Sequence, residues 1–479
     1  MRAFIFAFAA SLALALPSSA QQPAATQGPQ PAAEAAQQPQ GAAVPQPPQP
    51  IVQEPSIAPQ PAATRTLTLD EAVKTARARQ PTLRQAQATT AAARARVDQA
   101  GAPLYPQVNF VAGYQRMTGN FVPRAGSIPS GVGGNRVPDP DFDTFDYINF
   151  GLSANQLIWD FGQTTGRKHA AEATVEAQEQ NETATLLSID QNVRVAFFNA
   201  RAAKELLAVA RETLDNYERH LAQIAGFVAA GTRAEIDLAQ ARTDRANARV
   251  SLINAENSYA SSKAALNQAM GVEGSTEYDV ADESISPVAG EDGALEKLVD
   301  EAIKTRPEFA SLQKQILAQE KTLDAIAGTR LPSLGATAGA TEAGNTTSGL
   351  VWNFSAGVNL NWPIYAGGIS NAQSDEVQAN IVGLRAQEDT LRQQVRVDVE
   401  QAQLAVRAAK AALEASDEAV TNARERRRLA EGRYQIGVGN GLELADAELA
   451  QTSSLAQRVQ AEYTLSSARA RLLRALGAP

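Results

Sequence analysis

The sequence has 479 residues, enough for two or three ordinary domains or one large architecture, with 44% hydrophobic and only 5% aromatic side chains. Its formal net charge of −9 argues against a nucleic-acid partner. With no cysteine and only His169 and His220, it offers no disulfide, no His/Cys metal site and no N-terminal cysteine for a lipid anchor, and no cofactor is expected.

Residues 1–20 carry Arg2, an apolar run from Ala3 to Leu16 and then Pro17-Ser18-Ser19-Ala20, the pattern of a signal peptide cut after Ala20. No later stretch is long and apolar enough for a transmembrane helix, so a mature chain that crosses a membrane must do so as a closed β-barrel. Residues 21–63 are nearly all Gln, Pro and Ala; they cannot bury enough surface to offset their ordering entropy and read as disordered. At Thr68-Leu69-Asp70-Glu71 a capping box opens a short helix that ends near Arg79, before Pro81. An Ala-rich helix over 81–100 follows, closed by Gly101 and Pro103.

The next runs alternate with the period of two that marks a strand. Val108, Phe110, Ala112 and Tyr114 share one face of 107–115, and Ile148, Phe150, Leu152 and Ala154 share one face of 147–158, with a Gly/Pro-rich loop between. The 63 residues from Gln163 to Ala225 contain no proline, and Leu186, Ile189, Val193, Ala196, Ala200, Ala203, Leu207 and Ala210 continue to Ile224 in 3-4 spacing, a coiled-coil seam. Gly231 breaks it, and Thr232-Arg233-Ala234-Glu235 reads as a second capping box opening a helix over 234–270. Residues 273–293, with seven acids and no base, read as a linker.

The rest repeats what precedes it. Pro81 and Pro106 recur as Pro307 and Pro332, and Gly151, Gly162, Gly231 and Gly271 recur as Gly357, Gly368, Gly437 and Gly477. The division is then a first repeat over 64–272, the linker, and a second repeat over 294–479, with hairpins at 107–158 and 333–363 and helical pairs at 163–271 and 368–477. The strand 352–362 is the most explicit: Trp352, Phe354, Ala356, Val358, Leu360 and Trp362 on one face, Asn353, Ser355, Gly357, Asn359 and Asn361 on the other. Its tryptophans lie about 33 Å apart along a strand, or about 25 Å vertically at barrel tilt, the height of a lipid-facing band. Trp352, Trp362 and Trp159 are therefore expected at membrane interfaces, and Asn149, Ser153, Asn155, Asn353, Ser355, Asn359 and Asn361 along a weakly selective aqueous lumen.

Two hairpins give four strands, which cannot close, and an open edge in lipid leaves backbone groups unpaired. Several chains must share one barrel; dimer and trimer both remain open on the residues alone. There is no Walker A loop, no GxGxxG after a strand and no nucleophile elbow, so an enzyme is not expected.

The duplicated order of helix, proline, hairpin, long helix, glycine turn and returning helix over residues 66–479 resembles the TolC family of outer-membrane efflux proteins. The family's strand-to-helix junction is matched by Trp159-Asp160-Phe161-Gly162 and Tyr365-Ala366-Gly367-Gly368, and its turn by Tyr434-Gln435-Ile436-Gly437 with Glu443 and Asp446 following. The resemblance implies a mixed α and β membrane protein of the Gram-negative outer membrane. In that fold a homotrimer shares a 12-stranded barrel, continued into the periplasm by a helical coiled-coil barrel. It also implies docking onto a periplasmic adaptor and an inner-membrane transporter of RND, ABC or MFS type. A periplasmic gate is implied at Glu443, Asp446 and the first-copy Asp237, held by Tyr434 and an arginine; Arg233 takes that position in the first copy, while Gly439 replaces it in the second. The turns Ala230-Gly231-Thr232 and Gly437-Val438-Gly439 are the expected adaptor contacts. Small-molecule efflux, protein secretion and a poreless periplasmic spacer are the three functions weighed. The scarcity of Met and His disfavours dedicated copper or silver export.

Overall fold

The structure, a computed structural model, describes residues 65–118, 142–436 and 438–478. The expected signal peptide, the Gln/Pro/Ala segment, nearly all of the first hairpin's loop and Gly437 lie outside the described residues. Strand β1 (Arg65–Leu67) leads into α1 (Leu69–Arg79) and α2 (Pro81–Gly101). Thr68 caps α1, its hydroxyl accepting from Glu71 N at 3.2 Å, as the capping-box spelling requires. Strands β2 (Gln107–Thr118) and β3 (Thr144–Trp159) form the first hairpin, followed by the helical pair α3 (Gln163–Ala229) and α4 (Glu235–Met270).

The 273–293 segment is more than a linker. It contains β4 (Tyr278–Val280), which pairs in parallel with β1. Its acids are tied to the long helices: Asp279 to Lys204, Asp282 to Arg201, Glu291 to Lys410 and Arg469. Composition alone could not show these partners, because they come from helices that lie far away in sequence.

The second half comprises α5 (Leu295–Thr305), α6 (Pro307–Gly328), β5 (Ser333–Gly344), β6 (Val351–Asn361), α7 (Ile369–Gln435) and α8 (Gly441–Ala475). Helix α7 has the same 67 residues as α3, at an offset of 206, and β5 matches the bounds of β2 at an offset of 226. At 1.5 Å per residue each long helix runs about 100 Å. The cores repeat as well. Val73 and Ala76 of α1 pack with Ile189, Val193 and Leu266, and their counterparts Val299 and Ala302 of α5 pack with Val395, Val399 and Leu472.

Each short upper helix and its returning partner meet end to end along a long one. Gln80, just before α2, donates from Nε2 to the carbonyl of Ala269 at 2.9 Å, and Arg306, just before α6, donates from Nε to Ala475 O at 2.8 Å. Gly271 and Gly477 make these joints feasible. Both have positive φ (67° and 70°), and a Cβ on Gly271 would lie 2.8 Å from Gln80 Cα. Thus 21 and 36 residues of stacked helix run beside the 67 of α3.

Thr232 departs from the expected capping box. Helix α4 is entered through Ala234, and the Thr232 hydroxyl instead donates back to Phe227 O at 2.9 Å, closing the end of α3. Gly231 in the left-handed region turns the chain early, so Thr232 faces the helix behind it.

Candidate functional site

The four long strands form one antiparallel sheet in the order β2-β3-β5-β6, so the two hairpins join through β3 and β5. Opposed residues in such a ladder share a face. Phe110 faces Leu152, Leu152 faces Ala340 and Ala340 faces Phe354, which carries one apolar row across all four strands. On the opposite face Asn109 meets Ser153, Ser153 meets Gly339 and Gly339 meets Ser355. Asn149, Ser153, Asn155, Asn353, Ser355, Asn359 and Asn361 all fall on this second face, among Gly113, Gly335, Thr337 and Thr341. Small residues dominate it, and the side chains of Val108, Phe110, Tyr114, Trp352, Phe354 and Val358 on the other are exposed.

Strict alternation would put Trp159 on the polar face. A register shift between Leu157 and Trp159 instead sets Trp159 opposite Leu334, on the apolar side, edge-on to Phe161 at 6.0 Å. Trp352 lies at the loop end of the sheet and Trp362 at the helix end, its Nε1 donating to Arg330 O at 3.3 Å. The counterpart of that bond is Gln156 Nε2 donating to Leu104 O at 2.9 Å. Glu342, which sequence reading passed over, stands on the apolar face opposite Trp352.

Below the sheet, the junction motifs turn strand into helix. Phe161 and Gly162 take positive φ (50° and 88°), and the buried Asp160 carboxylate accepts from Thr164 N at 2.7 Å, capping α3. In the second copy Gly367 and Gly368 make the same left-handed turn without an acid.

At the far end, the two helical tips pack on each other. Ile224 and Ala241 from the first copy meet Ala430, Tyr434, Leu444 and Ala447 from the second. Tyr434 is 5% exposed, its ring lies under the Arg233 guanidinium at 5.0 Å, and His220 tilts against it at 5.6 Å. The arginine of one copy and the tyrosine of the other thus form one cation–π contact. The Tyr434 hydroxyl has no hydrogen-bond partner among the described residues, and burial pushes its pKa up although Arg233 opposes that. Burial likewise holds His220 below the usual imidazole range, with Asp244 opposing and Arg233 reinforcing. Arg233 also reaches Asp237 at 3.8 Å.

The arginine expected at Gly439 for the second-copy acids is supplied six residues earlier in the chain. Arg433, within α7, pairs with Glu443 at 3.6 Å. Gly439 sits against the helix end: its N–H and that of Val438 donate to Arg433 O, and a Cβ there would lie 2.8 Å from Tyr434 N. Asn440 then caps α8, accepting from Leu442 N at 3.2 Å. Asp446 is exposed and makes no ion pair among the described residues. Ala230, Gly231, Thr232 and Val438 are exposed at the turns, flanked by exposed Ile236, Ile436 and Leu442. No group of acids and histidines arranged to hold a metal occurs among the described residues.

A family model for outer membrane efflux proteins matches residues 72–272 and 298–478, both copies and most of the chain. The chain belongs to the outer membrane efflux protein family. Protein CyaE of Bordetella pertussis is 27% identical over 389 residues, 80% of this chain and 78% of that protein. The cation efflux system protein CusC of Escherichia coli K12 is 24% identical over 350 residues, 71% of this chain and 70% of that one. Among solved structures, the Campylobacter jejuni CmeC outer membrane channel superposes with a TM-score of 0.71 at 16% identity, covering 85% of each chain. The CusC structure superposes at 0.69 with 21% identity, over 86% of this chain and 92% of that one. As an outer membrane efflux protein, the chain is a channel component and not an enzyme.

Proposed function

We propose that three copies of this chain close a 12-stranded barrel in the Gram-negative outer membrane and continue it into the periplasm as a helical duct. The observation that carries this reading is the four-stranded sheet with one largely apolar face, charged only toward its loop end at Arg116, Asp146 and Glu342, and two open edges, β2 and β6. Lipid tolerates no unpaired edge, so the sheet is complete only in a ring of chains. Two chains would supply eight strands, whose interior side chains fill; three supply twelve and leave room for water. The polar face, small and uncharged, then lines a weakly selective passage, and the apolar face with its tryptophans meets lipid.

The duct is passive. An inner-membrane transporter delivers the substrate, and a periplasmic adaptor docks at the turn residues Ala230, Gly231, Thr232, Gly437, Val438 and Gly439. Asp237, Glu443 and Asp446 from each chain make a ring of carboxylates at the narrow end, favouring cations and held closed by Tyr434 and Arg233. Anchorage rests on the barrel, since the 479 residues contain no cysteine to carry a lipid. The test is the mass of the detergent-solubilised particle together with its conductance in a planar bilayer. Three chains and a stable aqueous conductance support the reading; a particle that never makes a bilayer leak ends it.

A further inference from the structure

The chain has two histidines in its 479 residues, and one of them, His220, lies where the two helical tips meet. Neither the barrel nor the carboxylate ring uses it. It stands near the lower end of α3, one turn before Ile224 of the tip core, half-buried against the buried Tyr434 of α7. The imidazole is 5.6 Å from the Tyr434 ring, centroid to centroid, and the Arg233 guanidinium is 5.0 Å from the same centroid. One aromatic ring thus holds a permanent cation beside a group that becomes a cation between about pH 5 and 8. Two positive charges on one buried ring repel, and the ring belongs to one copy while both cations belong to the other.

The charges around His220 come from every neighbouring element. Burial, the largest influence, keeps the imidazole neutral; Asp244 of α4 draws a proton toward it, and Arg233 of the turn repels one. Asp237, at the start of α4, pairs with Arg233 at 3.8 Å. Glu448 of α8 feels Arg427 and Glu431 of α7, Asp244 of α4 and Arg219 of α3. Burial raises the Glu448 pKa, so acid favours its packed form, the opposite sign to His220. That carboxyl starts from 4.5, whereas an imidazole starts from 6.5, so His220 titrates first as pH falls from neutrality.

We infer that His220 is a proton-operated latch on the tip: neutral, it packs with Arg233 on the Tyr434 ring, and protonated, it drives the two tips apart and widens the narrow end of the duct. The sign follows from linkage. Protons bind more tightly to the state in which the imidazole is solvated and away from Arg233, so falling pH favours that state. The size is bounded by the freed imidazole, whose ordinary value is 6.5. At about pH 5.5 the ratio of open to packed tips rises at most about tenfold per subunit. This inference rests on the gate reading of Tyr434 and Arg233 proposed above and adds the proton as its effector.

The test is bilayer conductance of the full-length, detergent-purified channel at about pH 7.5 and about pH 5.5. Wild type is expected to conduct about three- to tenfold more at the lower pH, and His220→Gln equally at both. The glutamine does not titrate, while Asp237, Glu443, Asp446 and Glu448 remain in place, so an acid response as large in His220→Gln as in wild type overturns the inference. A second measurement leaves His220 itself untouched. In histidine-labelled His169→Gln protein, the single imidazole resonance is expected to titrate with a midpoint below 6.5, and a midpoint at or above that value also overturns it. Arg233→Ala separates the two readings. If it leaves conductance unchanged, the gate reading fails; if it raises conductance while the acid response survives in His220→Gln, the latch alone falls.

Discussion

Glu291 is the most informative single side chain outside the pore. It is 3% exposed, accepts from Val288 N at 3.0 Å and from Arg469 Nε at 3.1 Å, and pairs with Lys410 at 2.7 Å. It therefore clips the connecting segment onto α7 and α8. Burial alone would raise its pKa, but Arg469, Lys410 and the Val288 amide outweigh it and hold the carboxyl at about 2 instead of 4.5. That difference corresponds to about 3 kcal/mol of native-state stabilisation at neutral pH. Spread over roughly 400 ordered residues with an unfolding entropy of about 2.1 cal/mol/K each, it amounts to about 3–4 °C in melting temperature. Glu291→Gln should lower the melting temperature of the detergent-solubilised protein, followed by helical circular dichroism at pH 7, by that amount. The native carboxyl titrates below the unfolded one, so the stabilisation is complete above about pH 4.5 and disappears as pH falls toward 2. The gap between wild type and variant should close over that window. A variant that melts within a degree of wild type at pH 7, or a gap that persists at pH 2, refutes the reasoning.

Other expectations concern the tips and the joints. Tyr434→Phe should leave single-channel conductance unchanged, because the hydroxyl has no partner among the described residues, whereas Arg233→Ala removes the cation on the ring and should raise it. Glu443→Ala with Asp446→Ala should raise conductance or weaken divalent-ion block in bilayers; unchanged behaviour would exclude a carboxylate gate there. Replacing Gly231 and Gly437 with bulky residues should abolish pump-dependent export while the multimer stays intact by mass, and surviving export would exclude docking at the turns. Gly166→Val should cost about 1–3 kcal/mol in thermal melts, since a Cβ at 166 would lie 2.9 Å from Ala325 N and Cβ, where α3 crosses α6.

Much was written locally in the chain. Prolines, glycines and two periodicities marked most of the helices and all four long strands, because each signal depends on backbone chemistry within a few residues. The alternation in 352–362 assigned the two faces of β6, and the paired prolines and glycines exposed the duplication. The strap at β4, the bulge that carries Trp159 to the apolar side and the arginine that meets Glu443 were not legible. Three residues are too short for a period, a bulge inverts a face without changing composition, and Arg433 lies in a helix full of arginines.

Taken by itself, the sequence determined which segments could become helix or strand, which of their faces were apolar, and that one chain could not close its own sheet. Only the tertiary structure decided which side chains from distant segments meet. The Tyr434 ring under Arg233 and Glu291 between Lys410 and Arg469 both depend on how two 67-residue helices lie beside their neighbours. Such contacts join residues separated by more than two hundred positions, and no local pattern can encode a partner that far away.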